Sequence, residues 1–152
     1  MQHIWTVLCQ TSSIDIETNL LSIFNCVEEL NLMIDKTKAP QGDLVVPTEF
    51  QLVSFWTIDN PNKDNELELR IEIVDPIGKV LNGFENKYPV KKGIVRFRNR
   101  TNIQGLPITE AGRYLVRIMQ KEEGKKQFEI STELPLDVKI VYKLMDTPVA
   151  KK

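Results

Sequence analysis

The sequence predicts an all-β, antiparallel two-sheet β-sandwich of about eight or nine strands. Apolar and polar residues alternate with period two along most of the chain, and Pro, Gly, Asn and Asp mark turns every ~8–12 residues. Helical spacing is hinted at only in residues 18–32, whose Asn, Ser, Val and Ile favour strand instead.

Residues 2–9 form a first strand, and residues 20–35 form one long strand, or two separated by a bulge near Glu28-Glu29. Residues 36–47 read as a loop, because Pro and Gly break any period. The strand 51–58 carries Phe55 and Trp56, residue types suited to a pleated, half-buried surface. After a loop at 60–65, Glu66-Leu67-Glu68-Leu69-Arg70-Ile71-Glu72-Ile73 alternates without a miss. Leu67, Leu69, Ile71 and Ile73 therefore share a core face, since side chains alternate across a strand. Asp75-Pro76-Ile77-Gly78 is a turn signal, followed by a short return strand through Val80 and Leu81. Strands at 93–103, 112–121, 125–131 and 135–144 complete the set, with Glu122-Glu123-Gly124 closing a hairpin. No repeat or long linker divides the chain, so one domain over 1–145 is expected, with a polar tail at 146–152.

Composition narrows the function classes. The chain has 152 residues, 20 Lys and Arg against 21 Asp and Glu, and 41% hydrophobic residues. That balance excludes a disordered chain, a collagen and a strongly basic nucleic-acid coat. No apolar run approaches the ~18 residues of a membrane span, so no membrane partner is expected. The first ten residues lack the basic start and cleavage site of a secretion signal, which makes the cytoplasm the expected location. Cys9 and Cys26 lie on candidate neighbouring strands and are expected there as free thiols.

One motif carries a specific corner. In Leu106-Pro107-Ile108-Thr109-Glu110-Ala111-Gly112-Arg113-Tyr114-Leu115-Val116, a turn with Pro107 and Gly112 feeds a strand whose second residue is Tyr114. This resembles the tyrosine corner of immunoglobulin-like sandwiches, in which the phenol hydrogen-bonds back to nearby backbone. Val116 stands where antibody domains place a cysteine, so the resemblance is to the wider immunoglobulin-like family without its inter-sheet disulfide. Together with Leu20-Leu21-Ser22-Ile23-Phe24-Asn25 and the Asp75–Gly78 turn, the order of motifs looks like that of a family of small, stand-alone bacterial sandwich proteins. That family has no assigned activity, so the resemblance implies a fold and lends no site residues.

Chemistry is sparse. His3, the one histidine, lies at the start of a strand, and neither a nucleophile elbow nor a phosphate-cradling glycine loop is present. No enzyme and no cofactor are expected. His3, Cys9 and Cys26 lack zinc-ligand spacing. The loop from Asp59 to Glu66 gathers oxygen ligands suited to calcium. It fails the EF-hand pattern, because with Asn60 first, Asn65 falls where Gly belongs and Ile71 where the bidentate Glu belongs. A calcium-binding sandwich is therefore the third reading.

Charge asymmetry is the stronger hint. Lys87, Lys91, Lys92, Arg96, Arg98 and Arg100 fall in a stretch with no acid, leaving 14 basic residues elsewhere against all 21 acidic ones. Arg96, Arg98 and Arg100 share one strand face, and Arg113, Arg117 and Lys121 share another, on a strand that the corner places in the other sheet. Tyr88 is the one exposed aromatic expected nearby. The leading expectation is a non-enzymatic protein-interaction module, an adaptor or scaffold with a protein partner or self-association. The alternative is a charged-ligand or nucleic-acid-binding module using residues 87–100.

Overall fold

The computed structural model describes residues 1–35 and 44–143, the side chain of Leu44 excepted. These form nine strands: β1 (Gln2–Ile14), β2 (Leu21–Cys26), β3 (Glu29–Asp35), β4 (Leu44–Thr57), β5 (Asn65–Val74), β6 (Val80–Val90), β7 (Arg96–Ile108), β8 (Gly112–Lys121) and β9 (Glu129–Lys143). They make two sheets. One runs β2-β1-β4-β7 and the other β3-β9-β8-β5-β6.

The alternating strand β5 does what its pattern predicts: Leu67, Leu69, Ile71 and Ile73 are all buried. They pack with Leu52 and Trp56 of β4, Leu106 and Ile108 of β7, Tyr114, Val116 and Ile118 of β8, and Leu136 of β9. Both sheets thus contribute one face to a shared apolar core, whose burial is the main stabilising term for such a domain.

Several expected boundaries are corrected. Residues 20–35 are two strands on different sheets, because the chain crosses at Val27 and Glu28. There Val27 N donates to Leu8 O of one sheet and Asp137 N donates to Glu28 O of the other, both at 2.9 Å. The sheets are not wholly antiparallel, since β3 runs parallel to β9 from Glu29↔Asp137 to Asp35↔Lys143. Of the loop expected at 36–47, Leu44 to Val46 instead pair with Ile108 to Leu106, and residues 36–43 lie outside the described residues. The return strand after Gly78 extends to Val90, and β1 extends to Ile14. Strands expected at 125–131 and 135–144 are one strand. Pro135 is tolerated within it because β3 pairing starts only at Asp137, so β9 has β8 alone beside it there. The tail at 146–152 lies outside the described residues.

The far half of the β1–β2 hairpin bends across the outer face of its own sheet. Ser12 N and Oγ both donate to Gln51 Oε1 on β4, at 2.7 and 2.8 Å. Further along, Asn19 reaches Arg98 of β7 through its carbonyl and Oδ1, at 3.0 and 3.1 Å. Val53 points away from the central core, yet it is fully buried, as is Cys9 beside it.

At the corner, Tyr114 is fully buried and its hydroxyl is saturated. It accepts from Thr109 N at 2.9 Å and Glu110 N at 3.1 Å and donates to Glu110 O at 2.9 Å. One donor and two acceptor sites are all a hydroxyl has. Gly112, at φ +150°, is required for a second reason: a Cβ there would stand 2.8 Å from Pro76 Cγ in the Asp75 turn. Replacing Tyr114 by Phe leaves two backbone amides and a carbonyl unpartnered. The expected cost is about 2 kcal/mol in urea unfolding, with the fold retained; a loss below a few tenths contradicts this role for the hydroxyl.

Candidate binding face

Arg96, Arg98 and Arg100 occupy alternate positions on β7, and their cross-strand neighbours on β4 are Thr57, Phe55 and Val53. None of these is acidic. Arg98 is held by Asn19, and Arg100 Nη1 donates to Ser12 O at 3.4 Å. Arg96 is exposed and has no polar partner among the described residues. The chain has six arginines, and the three on the five-stranded sheet, Arg70, Arg113 and Arg117, all make ion pairs. None on the four-stranded sheet does, among the described residues.

The reason lies in β5. Its alternating carboxylates stand beside basic residues of both neighbouring strands: Glu68 meets Lys87 of β6 at 3.2 Å and Lys121 of β8 at 2.5 Å. Glu72 meets Arg117 of β8 at 3.2 Å, and Arg117 also holds Glu133 of β9 at 2.8 Å. The hydrogen bond from Lys121 keeps the Glu68 carboxyl below its ordinary range, and the bond to Glu68 raises Lys87. Asp137 is likewise lowered by its bond from Arg113.

The basic segment expected as one site is therefore split. Lys87 lies on the outer face of the five-stranded sheet, engaged by Glu66 and Glu68. Lys91 pairs with Asp64 at 3.6 Å in the loop between the sheets, where Lys92 N also donates to Asp64. Only Arg96, Arg98 and Arg100 remain together. Beside them lies an aromatic pair that local sequence could not associate with them: Trp5 of β1 stacks on Phe55 of β4 at 5.6 Å between ring centroids. Trp5, Phe55, Arg96 and Arg98 line a shallow groove of about 460 Å³, closed at one side by Thr18 to Leu21. Tyr88 is half-buried and packs on Phe97 at 5.9 Å, between the sheet edges.

The other candidates carry less. In the oxygen-rich loop, Asp59 pairs with the Met1 amino group at 2.7 Å, and Asn60 Oδ1 accepts from Asn62 N. Among the described residues no three His, Cys, Asp or Glu side chains gather as metal ligands. No helix of the described residues is long and apolar enough to cross a membrane. His3 Nε2 lies 2.7 Å from Thr6 Oγ1 and its ring meets Trp56 edge-on at 4.8 Å. Cys9 and Cys26 stand directly opposite each other on β1 and β2, both free, one buried and one exposed. Burial, and secondarily Cys26, raises the Cys9 thiol.

No protein-family model and no curated protein matches the chain. Among solved structures, it is similar to a β-glucuronidase from glycoside hydrolase family 2, with TM-score 0.42 and 18% identity over 64% of this chain. The chain spans 11% of the length of that enzyme.

Two solution measurements follow from these environments. Burial lowers the His3 pKa below 6.5, so the unfolded chain binds the proton more readily. Stability should be complete above about pH 6.5 and fall as pH drops below it, and His3→Gln should flatten that part of the urea-midpoint profile. An unchanged profile in the variant contradicts this. Iodoacetamide should modify Cys26 in the native protein and Cys9 only on unfolding; equal rates would refute the buried environment of Cys9.

Proposed function

We propose that the chain is an immunoglobulin-like, non-enzymatic interaction module that engages a protein partner through the outer face of the four-stranded sheet. The fold part draws on strand order. Adjacent β1, β4 and β7 correspond to strands A, B and E of such domains, and adjacent β5, β8 and β9 to C, F and G. Tyr114, at the start of the strand in position F, supplies the corner hydrogen bonds typical of that place.

The observation that carries the function is the charge imbalance between the sheets. Exposed ion pairs are worth little individually, yet three arginines with no acid opposite them on β4, where Glu49 lies further along beside Gln104, have a local field that favours an acidic partner. A second reading, nucleic-acid binding at the same arginines, draws on the Trp5–Phe55 ring pair. It is the weaker one, because Lys87 and Lys91 are engaged elsewhere and leave few cations to follow a phosphate backbone.

Affinity capture of tagged protein from its native cells at low salt tests the reading. A stoichiometric protein should be retained by the wild type and reduced at least tenfold by Arg96→Glu with Arg98→Glu. Lys126→Glu, an exposed site outside any ion pair of the described residues, should leave it unchanged. Equal retention by all three refutes this surface, and nucleic acid lost at high salt would favour the second reading.

A further inference from the structure

The edge of β7 adds something that the face alone does not. Just past the end of the β4–β7 ladder Ile58 N donates to Val95 O at 3.1 Å. The same register runs on through Trp56↔Phe97, Ser54↔Asn99, Leu52↔Thr101 and Phe50↔Ile103. Antiparallel pairs alternate between hydrogen-bonded and non-hydrogen-bonded, so these four residues of β7 direct their N–H and C=O groups toward β4. Arg96, Arg98, Arg100 and Asn102 direct theirs the other way. No strand lies on that side among the described residues. In an immunoglobulin-like sheet of order A-B-E-D, that vacant side of E is where D pairs.

We propose that this edge accepts an extended segment of a partner protein in which acidic and apolar residues alternate, added as a further strand beside β7. The idea rests on the interaction reading above and names the partner's chemistry. A strand pairing here places alternate side chains opposite Arg96, Arg98 and Arg100 on the outer face, at the ~6.6 Å repeat of two strand residues. Its intervening side chains turn inward toward Tyr88, which already packs against Phe97. The other sheet gives the template: β5 alternates Glu with Leu or Ile, and its carboxylates meet Lys87, Lys121 and Arg117 on its neighbours. The four-stranded sheet has the basic strand and lacks the acidic one.

A second copy of β7 is a poor occupant. Antiparallel self-pairing centred on Arg98 or Arg100 sets arginine against arginine, and like charges directly opposite are destabilising, while a register centred on Asn102 sets Arg100 opposite Gln104. The same arginines therefore disfavour self-pairing in those registers while leaving the edge open to an acidic strand.

The probe is a synthetic peptide of alternating Glu and Val, compared with its Lys–Val counterpart and with a short oligothymidylate. Binding is read from backbone amide NMR shifts. The Glu peptide should shift Arg96, Arg98, Arg100 and Asn102, weaken with salt, and weaken at least tenfold in Arg96→Glu with Arg98→Glu. Asn102→Pro keeps every arginine and removes one outward N–H that β4 does not use, while Asn102→Ala, which equally loses the bond from Gln51 Nε2 but keeps that N–H, should leave binding unchanged. Asn102→Pro should cut binding at least fivefold, with dispersed spectra certifying its fold. Glu-peptide binding unaffected by Asn102→Pro overturns strand addition and leaves a face-binding module standing. Absence of Glu-peptide binding, or preference for the oligothymidylate or the Lys peptide, overturns the proposal; the capture experiment separately decides the interaction reading.

Discussion

The alternation of the β4–β7 backbone ladder governs the candidate surface. A strand bonded on one side spends the N–H and C=O of every second residue and holds the intervening ones free. On β7 the free set coincides with the arginines, because the residues whose side chains face the core, Phe97 to Ile103, are also the ones bonded to β4. Outward charge and unused backbone donors thus belong to the same residues. Tyr114 fixes the other end of this arrangement: its hydroxyl ties the β7–β8 connection so that β7 ends in one sheet and β8 begins in the other.

Electrostatics then divides the molecule. The five-stranded sheet places carboxylates of β5 between cations of β6 and β8, and its outer face is neutralised by cross-strand contacts. The four-stranded sheet presents arginine beside Thr57, Phe55 and Val53. Folding back the β1–β2 hairpin covers part of that face, burying Val53 and Cys9, and positions Arg98 through Asn19 without neutralising it. Hydrogen bonds to a carbonyl orient a guanidinium and leave its charge available for an anion.

Much of this was legible in the sequence because it depends on local periodicity. Leu67 to Ile73 announce β5, and Arg96, Arg98 and Arg100 fall on one face by alternation alone. Gly112 and Tyr114 mark the corner because a turn followed by a buried phenol needs those residue types, whereas Pro107, expected in that turn, lies within β7 opposite Val45. What was hidden depends on distant partners. The switch at Val27 and Glu28 is made by bonds to Leu8 and Asp137, which nothing in residues 20–35 encodes. Parallel pairing of β3 with β9 joins segments about a hundred residues apart. Trp5 and Phe55 reach the arginines only through pairing of β1 with β4 and β4 with β7. The full length of edge strand β6 is not legible locally because Asn82-Gly83 and Glu85-Asn86-Lys87 carry little apolar signal, its order coming from the ladder with β5.

Amide hydrogen exchange along β7 in the free protein tests the central claim most directly. The ladder predicts a two-residue period, with Phe97, Asn99, Thr101 and Ile103 protected and Arg98, Arg100 and Asn102 exchanging much faster. Uniform protection of both sets would contradict it, since the outward amides would then already be paired and the edge closed to any incoming strand.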